Sequence, residues 1–341
     1  TTETNIGVDF RLFKNRISGS IDVYNRYTDD ILTVVPVSAT FGLPAPTVNA
    51  GAMSNKGIET ELKYSNPHGA LKFDVGVNAS YNKNNVEKYY GRDIFEVNAE
   101  GGAIVREKGI PWNSYIGYEW IGYFMSDDEA GRGAVHHPSV GAGDLKFRDQ
   151  NGDGKIDGQD RVVLGKPIPS FTYGLNANLS YKGFDFGFFF HGVSDVERYI
   201  RVRGYMPFMR NGKTLRMHLD RMVVENGVVV QEGYFPKTLL EGGEGGKNIV
   251  SSGFTIHNAS YLRMKNILLG YTIPASLTKR ISIARARIYV SGQNLLTFTK
   301  FPDGYDPEAN NTAFHGHILG GAAGWSYPQA KSFTAGLDIN F

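Results

Sequence analysis

What most constrains this chain is an alternation of apolar and polar residues that recurs from one end to the other. Residues 71–81 set Leu71, Phe73, Val75, Val77, Ala79 and Tyr81 against Lys72, Asp74, Gly76, Asn78 and Ser80. Residues 171–182 set Phe171, Tyr173, Leu175, Ala177, Leu179 and Tyr181 against Thr172, Gly174, Asn176, Asn178, Ser180 and Lys182. The C-terminus repeats the pattern, with Phe333, Ala335, Leu337, Ile339 and Phe341 opposite Ser332, Thr334, Gly336, Asp338 and Asn340. Successive side chains of a strand point to opposite faces, so each stretch is a strand with one apolar and one polar face. A slip of one residue would carry Lys72, Asp74, Lys182 and Asp338 onto the apolar face. Register is therefore strongly specified.

Nine such segments are predicted, over 4–13, 17–31, 57–65, 70–86, 170–182, 184–194, 260–273, 284–299 and 331–341. Most exceed the mean of about 5–6 residues for soluble strands, and they meet the roughly 9–11 that a membrane-crossing strand needs. In 260–273, Arg263 and Lys265 share parity with Ile267 and Leu269, which predicts a bulge near Asn266. Short joints (15–16, 66–69, 182–183, 274–283) alternate strictly with long ones (32–56, 87–169, 195–259, 300–330). Outer-membrane barrels alternate in this way, with short periplasmic turns and longer extracellular loops. A Greek-key sandwich has no reason to. Aromatics near segment ends (Tyr27, Tyr64, Tyr81, Tyr181, Phe184, Tyr271) suit interfacial girdles.

Composition excludes several classes. The 341 residues contain no cysteine, which removes disulfide scaffolds, zinc–cysteine sites and thiol nucleophiles. A net charge of +2 makes no case for nucleic acid. No run approaches the roughly 18 apolar residues of a membrane helix. The 42 glycines, with 21 Phe and 19 Tyr, fit long strands and many turns. The opening Thr1-Thr2-Glu3-Thr4 shows no leader pattern, so a mature chain or an internal piece is expected.

The sharpest local motif runs from Asp149 to Asp160 and follows the calcium-loop pattern D-x-[DN]-x-[DN]-G. Its candidate ligands for Ca2+ are Asp149, Asn151, Asp153, the Lys155 carbonyl, Asp157 and Asp160, because a hard cation takes six to eight oxygens. Gly154 permits the sharp turn, and Asp160 stands where glutamate is usual. The bland reading is an acidic turn whose carboxylates bind backbone amides and arginines such as Arg148 and Arg161. His136-His137 and His315-Gly-His317 lack carboxylate partners and read as solvated loop residues. The stretch 242–247 fails the phosphate-loop pattern, since Glu241 and Asn248 stand at required positions, and reads as a flexible loop tip. Trp112, Trp120 and Trp325 fall in long connections and are expected to pack inside them. No catalytic motif appears, so no enzyme is predicted.

These features together resemble the C-terminal part of the SusC/RagA-like TonB-dependent transporters of the Bacteroidetes outer membrane. The resemblance rests on Ile17–Ile31, Asn55–Glu59, Gly143–Phe147 leading into the Asp149–Asp160 loop, Gly165–Gly174, Tyr261–Asn266 and Ser332–Phe341. It implies an all-β fold, the C-terminal portion of a transmembrane antiparallel barrel of about 22 strands, with residues 143–165 as a calcium-loop-like extracellular insertion. It further implies import of large nutrients, oligosaccharides or oligopeptides, together with a SusD-like lipoprotein. TonB, ExbB and ExbD would act through a plug and earlier strands that these residues do not contain. A terminal aromatic, Phe341, looks like the signal read by barrel-insertion machinery. Two other readings remain open from the residues themselves. One is a soluble, calcium-stabilised carbohydrate-binding β-protein, which would bury its apolar faces between two sheets. The other is a barrel enzyme with His136 or His315 at its mouth.

Overall fold

The computed structural model describes residues 1–34, 42, 46–97, 102–200, 205–208, 214–238, 247–278, 282–309 and 327–341. All nine predicted segments are strands, and they form one antiparallel sheet in strict sequence order. We label them β1 (Thr2–Leu12), β2 (Ile17–Val34), β3 (Thr47–Asn66), β4 (Leu71–Lys88), β5 (Phe171–Tyr181), β6 (Phe184–Ser194), β7 (Tyr261–Thr272), β8 (Arg285–Thr299) and β9 (Ser332–Asn340). The largest departure from expectation is β3, which begins ten residues early, at Thr47 rather than 57. Its first turn pairs with the end of β2 through register shifts around Ile31. Bulges there break the alternation that the sequence reading relied on.

The expected bulge is present. Register slips between Met264 and Asn266 on both sides: against β6, where Phe189 and Phe190 are adjacent, Lys265 is the extra residue, and against β8 the extra residue lies between Gln293 and Leu296. Parity flips across it. Leu262 and Met264 before the bulge share a face with Ile267, Leu269 and Tyr271 after it.

Cross-strand partners place one apolar row after another on a single face. Ile6, Val23, Ile58, Tyr81 and Phe171 stand side by side across β1 to β5. Tyr181, Phe184, Tyr271, Ile288 and Leu337 do the same across β5 to β9. This face is not covered by a second sheet: Ile6 is 71% exposed, Val8 61% and Leu337 59%. The sandwich that a soluble reading needs is thereby contradicted, since the apolar rows meet the surroundings. Aromatic pairs mark two levels, Tyr81–Phe171 at one and Phe184–Tyr271 near the short turns at the other. No described helix is long and apolar enough to cross a membrane.

The opposite face is polar and tightly keyed. Tyr289 lies across Gly336, where an added Cβ would stand 2.3 Å from its ring, and Tyr24 covers Gly57 in the same way. The Lys182-Gly183 hairpin turns with both residues at positive φ, +47° and +90°, as a two-residue turn between right-twisted strands requires. Between β4 and β5 and between β6 and β7, the long connections fold into small sheets of their own. One is four-stranded, in the order 161–165, 114–118, 102–106, 93–97. The main hydrophobic core lies among these connections, not on the large sheet: Leu145, Phe147, Val196, Ile200, Tyr205, Phe235, Phe254 and Phe301 are buried together.

Candidate functional site: the polar wall and its mouth

The polar face of the sheet is lined mostly by hydrogen-bonding side chains, with Phe189 and Leu268 set among them. Near the short turns, Lys63 pairs with Asp74 at 3.0 Å. Arg287 bridges Asp185 on β6, at 3.0 Å from Nε, and Asp338 on β9, at 3.2 Å. Higher up, Arg26 grips Glu3 with two bonds of 3.0 and 3.2 Å. Asn55 accepts from Asn84 at 2.8 Å, and Asn84 in turn accepts the Trp112 amide at 2.7 Å. Two hollows open on this face. One of about 800 Å³ is lined by Lys72, Asp74, Asn176, Asn178 and Asp185, and one of about 520 Å³ by Asp22, Tyr24, Glu59 and Asn82. Asn, Ser, Asp, Lys and Arg in this density suit a hydrated lumen.

The mouth is closed in by the long connections, which two charge clusters fasten, one buried and one partly buried. Asp144, fully buried, accepts from Lys247 at 2.9 Å, Lys237 at 3.2 Å, Asn248 at 3.0 Å and the Gly141 amide at 2.9 Å. Lys247 is itself buried, so the expected loop tip ends in an anchored residue; 242–246 lie outside the described residues. On the wall, Arg263 donates to Asp306 at 2.8 Å, to Thr297 at 2.9 Å and to Glu308, while Lys265 and the Tyr261 hydroxyl reach Glu308 at 2.6 and 2.9 Å. Sequence reasoning missed both clusters. Arg263 and Lys265 did signal themselves by breaking parity, but nothing marked Asp306 and Glu308 as their partners.

The tryptophans behave as expected where described. Trp120 packs edge-on against Tyr123, Tyr234 and Phe254, and Trp112 against Tyr89 with Arg106 over its ring. Trp325, His315 and His317 lie outside the described residues. His137 is exposed, but His136 is not the solvated residue expected. Its ring lies between Tyr118 and Phe147, its Nε2 contacts the Lys247 carbonyl, and burial pushes its pKa down.

The Asp149–Asp160 residues are brought into one loop, and its carboxylates are engaged by backbone amides. Asp149 accepts from Gly152 at 2.7 Å and Gly154 at 2.8 Å; Asn151 accepts from Asp153 and Asp153 from Lys155. Asp157 accepts from Gln159, and buried Asp160 takes the amides of Gln150 and Asp157, both at 2.8 Å. Those amide bonds hold the Asp160 carboxyl below the usual range. Arg148 pairs with Glu119 instead. Among the described residues no three His, Asp or Glu side chains stand together as ready-made metal ligands.

A largely buried histidine is expected to make the mouth pH-sensitive. His257 packs against Tyr205 and Phe301, its Nε2 lacks a hydrogen-bond partner, and Arg198 is its cross-strand neighbour. Burial pushes its pKa down to about 4. The unfolded segment binds the proton near pH 6.5 and the folded one only near 4. Stability is therefore full above about pH 6.5 and falls as pH drops through that window, by up to roughly 3 kcal/mol. Trp120 fluorescence against urea at pH 7 and pH 4.5 checks this: His257→Phe should flatten the difference.

Comparison with known proteins identifies the architecture. Residues 1–295 match the family model described as TonB dependent receptor-like, beta-barrel. The chain belongs to that family. TonB-dependent receptor P3 of Formosa agariphila is 32% identical over 99% of this chain and 34% of its own length. The receptor SusC of Bacteroides thetaiotaomicron is 29% identical over 100% of this chain and 32% of its own. A solved structure of the RagAB peptide transporter superposes with a TM-score of 0.72 at 24% identity, over 99% of this chain and 35% of that one. The chain thus spans about a third of the length of these relatives. As a TonB-dependent receptor barrel it resides in the outer membrane. The relatives are named as receptors, in line with the expectation that this is not an enzyme.

Proposed function

We propose that this barrel portion forms the wall and mouth of a transporter that imports large, hydrogen-bonding solutes, oligosaccharides or oligopeptides, across the outer membrane. The supporting observation is the division of the sheet into an exposed apolar face and a polar wall capped by a packed mouth. The rest of the same transporter supplies closing strands and plug, TonB with ExbB and ExbD supplies the energy, and a SusD-like lipoprotein delivers the solute. The test is uptake of fluorescent oligosaccharides and oligopeptides by cells with and without the whole transporter gene. Gene-dependent uptake that a proton uncoupler abolishes is expected; uptake indifferent to either would overturn the reading.

The Asp149–Asp160 loop is included in this proposal as a structural Ca2+ site. Each carboxylate keeps acceptor capacity beyond its amide bonds, so Asp149, Asn151, Asp153, Asp157, Asp160 and the Lys155 carbonyl fit an oxygen-seeking cation once drawn together. Calcium at about 100 times its Kd should stabilise the mouth by roughly 2.7 kcal/mol, read as a rise in its melting temperature that Asp153→Ala removes. A melting temperature unchanged between calcium and chelator would leave the amide bonds as the loop's whole support.

A further inference from the structure

The connection after β8 does not stand above the barrel; its first residues fold down onto the lumen wall. Register decides the side. Arg263 pairs with His191 across β6 and with Thr297 across β8, in the polar row that continues through Gly174 and Asn78. It therefore points inward, yet it is only 4% exposed. What covers it is the segment 301–309, through Asp306 and Glu308. Phe301 and Ala309 are buried in the mouth core, and Tyr305 packs edge-on to Tyr205.

The charges are matched as a latch. Two wall cations, Arg263 and Lys265, meet two segment anions, Asp306 and Glu308. His191, from the neighbouring strand, contacts the Tyr261 hydroxyl at 3.1 Å, and that hydroxyl donates to Glu308. Asp306 also closes the segment on itself: Oδ1 accepts the Glu308 amide at 2.9 Å, and Oδ2 accepts the Gln329 amide at 2.7 Å just ahead of β9. Both ends of the connection are thus tied at one carboxylate. The bulge at Lys265 supports the arrangement. It lets Lys265 reach Glu308 beside Arg263 while Ile267 and Leu269 beyond it return to the lipid face.

We propose that residues 301–309 are an inward-folded constriction of the pore mouth, and that Arg263, Lys265, Asp306 and Glu308 are positioning residues that set its opening. This rests on the import reading for its purpose, but not for its test. Charge-paired inward segments narrow a barrel without closing it, and the wall cations spent on the latch are withheld from the solute.

These 341 residues contain no cysteine, so once any cysteine elsewhere in the whole transporter is replaced by serine a single one can be placed at will. Ala309→Cys, buried in the segment, should react slowly with a maleimide, and Ser252→Cys, buried in another part of the mouth, equally slowly. Adding Asp306→Asn with Glu308→Gln should speed labelling at 309 by about tenfold or more, as expected when buried pairs are broken, and leave 252 protected. In cells the same variant should admit larger solutes, with Arg263→Lys intermediate. Unchanged labelling at 309 overturns the latch, whatever uptake does. Equal exposure of 252 also overturns it, because the mouth would then be one unit with no separate constriction. Loss of all uptake in the unmodified transporter, with labelling as expected, would count against the import reading alone.

Discussion

Replacing Asp144 by alanine is expected to cost the mouth about 3–5 kcal/mol, the usual consequence of removing one partner from a buried ion pair. The carboxylate serves four donors at once, from Lys247, Lys237, Asn248 and the Gly141 amide. The Lys247 side chain is 2% exposed and has no water to turn to. Lys237 can still swing outward, so the larger share of the loss falls on Lys247. The effect should be local, because Asp144 joins the connection after β4 to the one after β6 and touches none of the nine strands. Urea titration of the tryptophan fluorescence should show an early mouth transition with the barrel's strand signal intact. The paired variant Asp144→Asn with Lys247→Met should recover much of the loss, since a neutral, well-packed replacement for a buried pair is often harmless. A mouth as stable as the unmodified one in the single variant would mean that the cluster is decoration.

Much of the barrel was legible because a barrel wall with an apolar outer face and a polar inner one imposes a two-residue period along every strand. The nine segments, the alternation of joint lengths and the bulge by Asn266 all follow from that one constraint. It fails where the constraint fails. The start of β3, Thr47 to Lys56, pairs with the bulged end of β2, and there side chains such as Ala52 and Ser54 are buried and need not alternate. The mouth was illegible for a related reason. Its contacts join residues far apart in sequence, such as Asp144 to Lys247 and Arg263 to Asp306, and no local pattern announces such a pair. His136 illustrates the same point: two adjacent histidines in a loop read as surface, and only Tyr118 and Phe147 closing over the first make it interior.

The lipid-facing assignment carries the second large expectation. Leu175 sits on β5 between the Phe171 and Tyr181 levels, with Val77 and Phe190 beside it on the apolar face. Leu175→Arg should therefore destabilise the whole barrel by about 2–4 kcal/mol, the cost of a cation at the bilayer midplane. Asn178, three residues on, faces the opposite way, opposite Asp74 and Gly187. The same arginine there meets water and a carboxylate, and Asn178→Arg should change stability little while altering which solutes pass. The two variants have the same new side chain on the same strand, so composition, helix or loop effects cancel and sidedness alone separates them. Folded barrel resists denaturation by detergent until heated, and the fraction migrating as compact species after graded urea treatment in lipid vesicles gives the difference. If Asn178→Arg proved the costlier of the two, the polar wall would be the buried face and the lumen would have to be sought on the other side of the sheet.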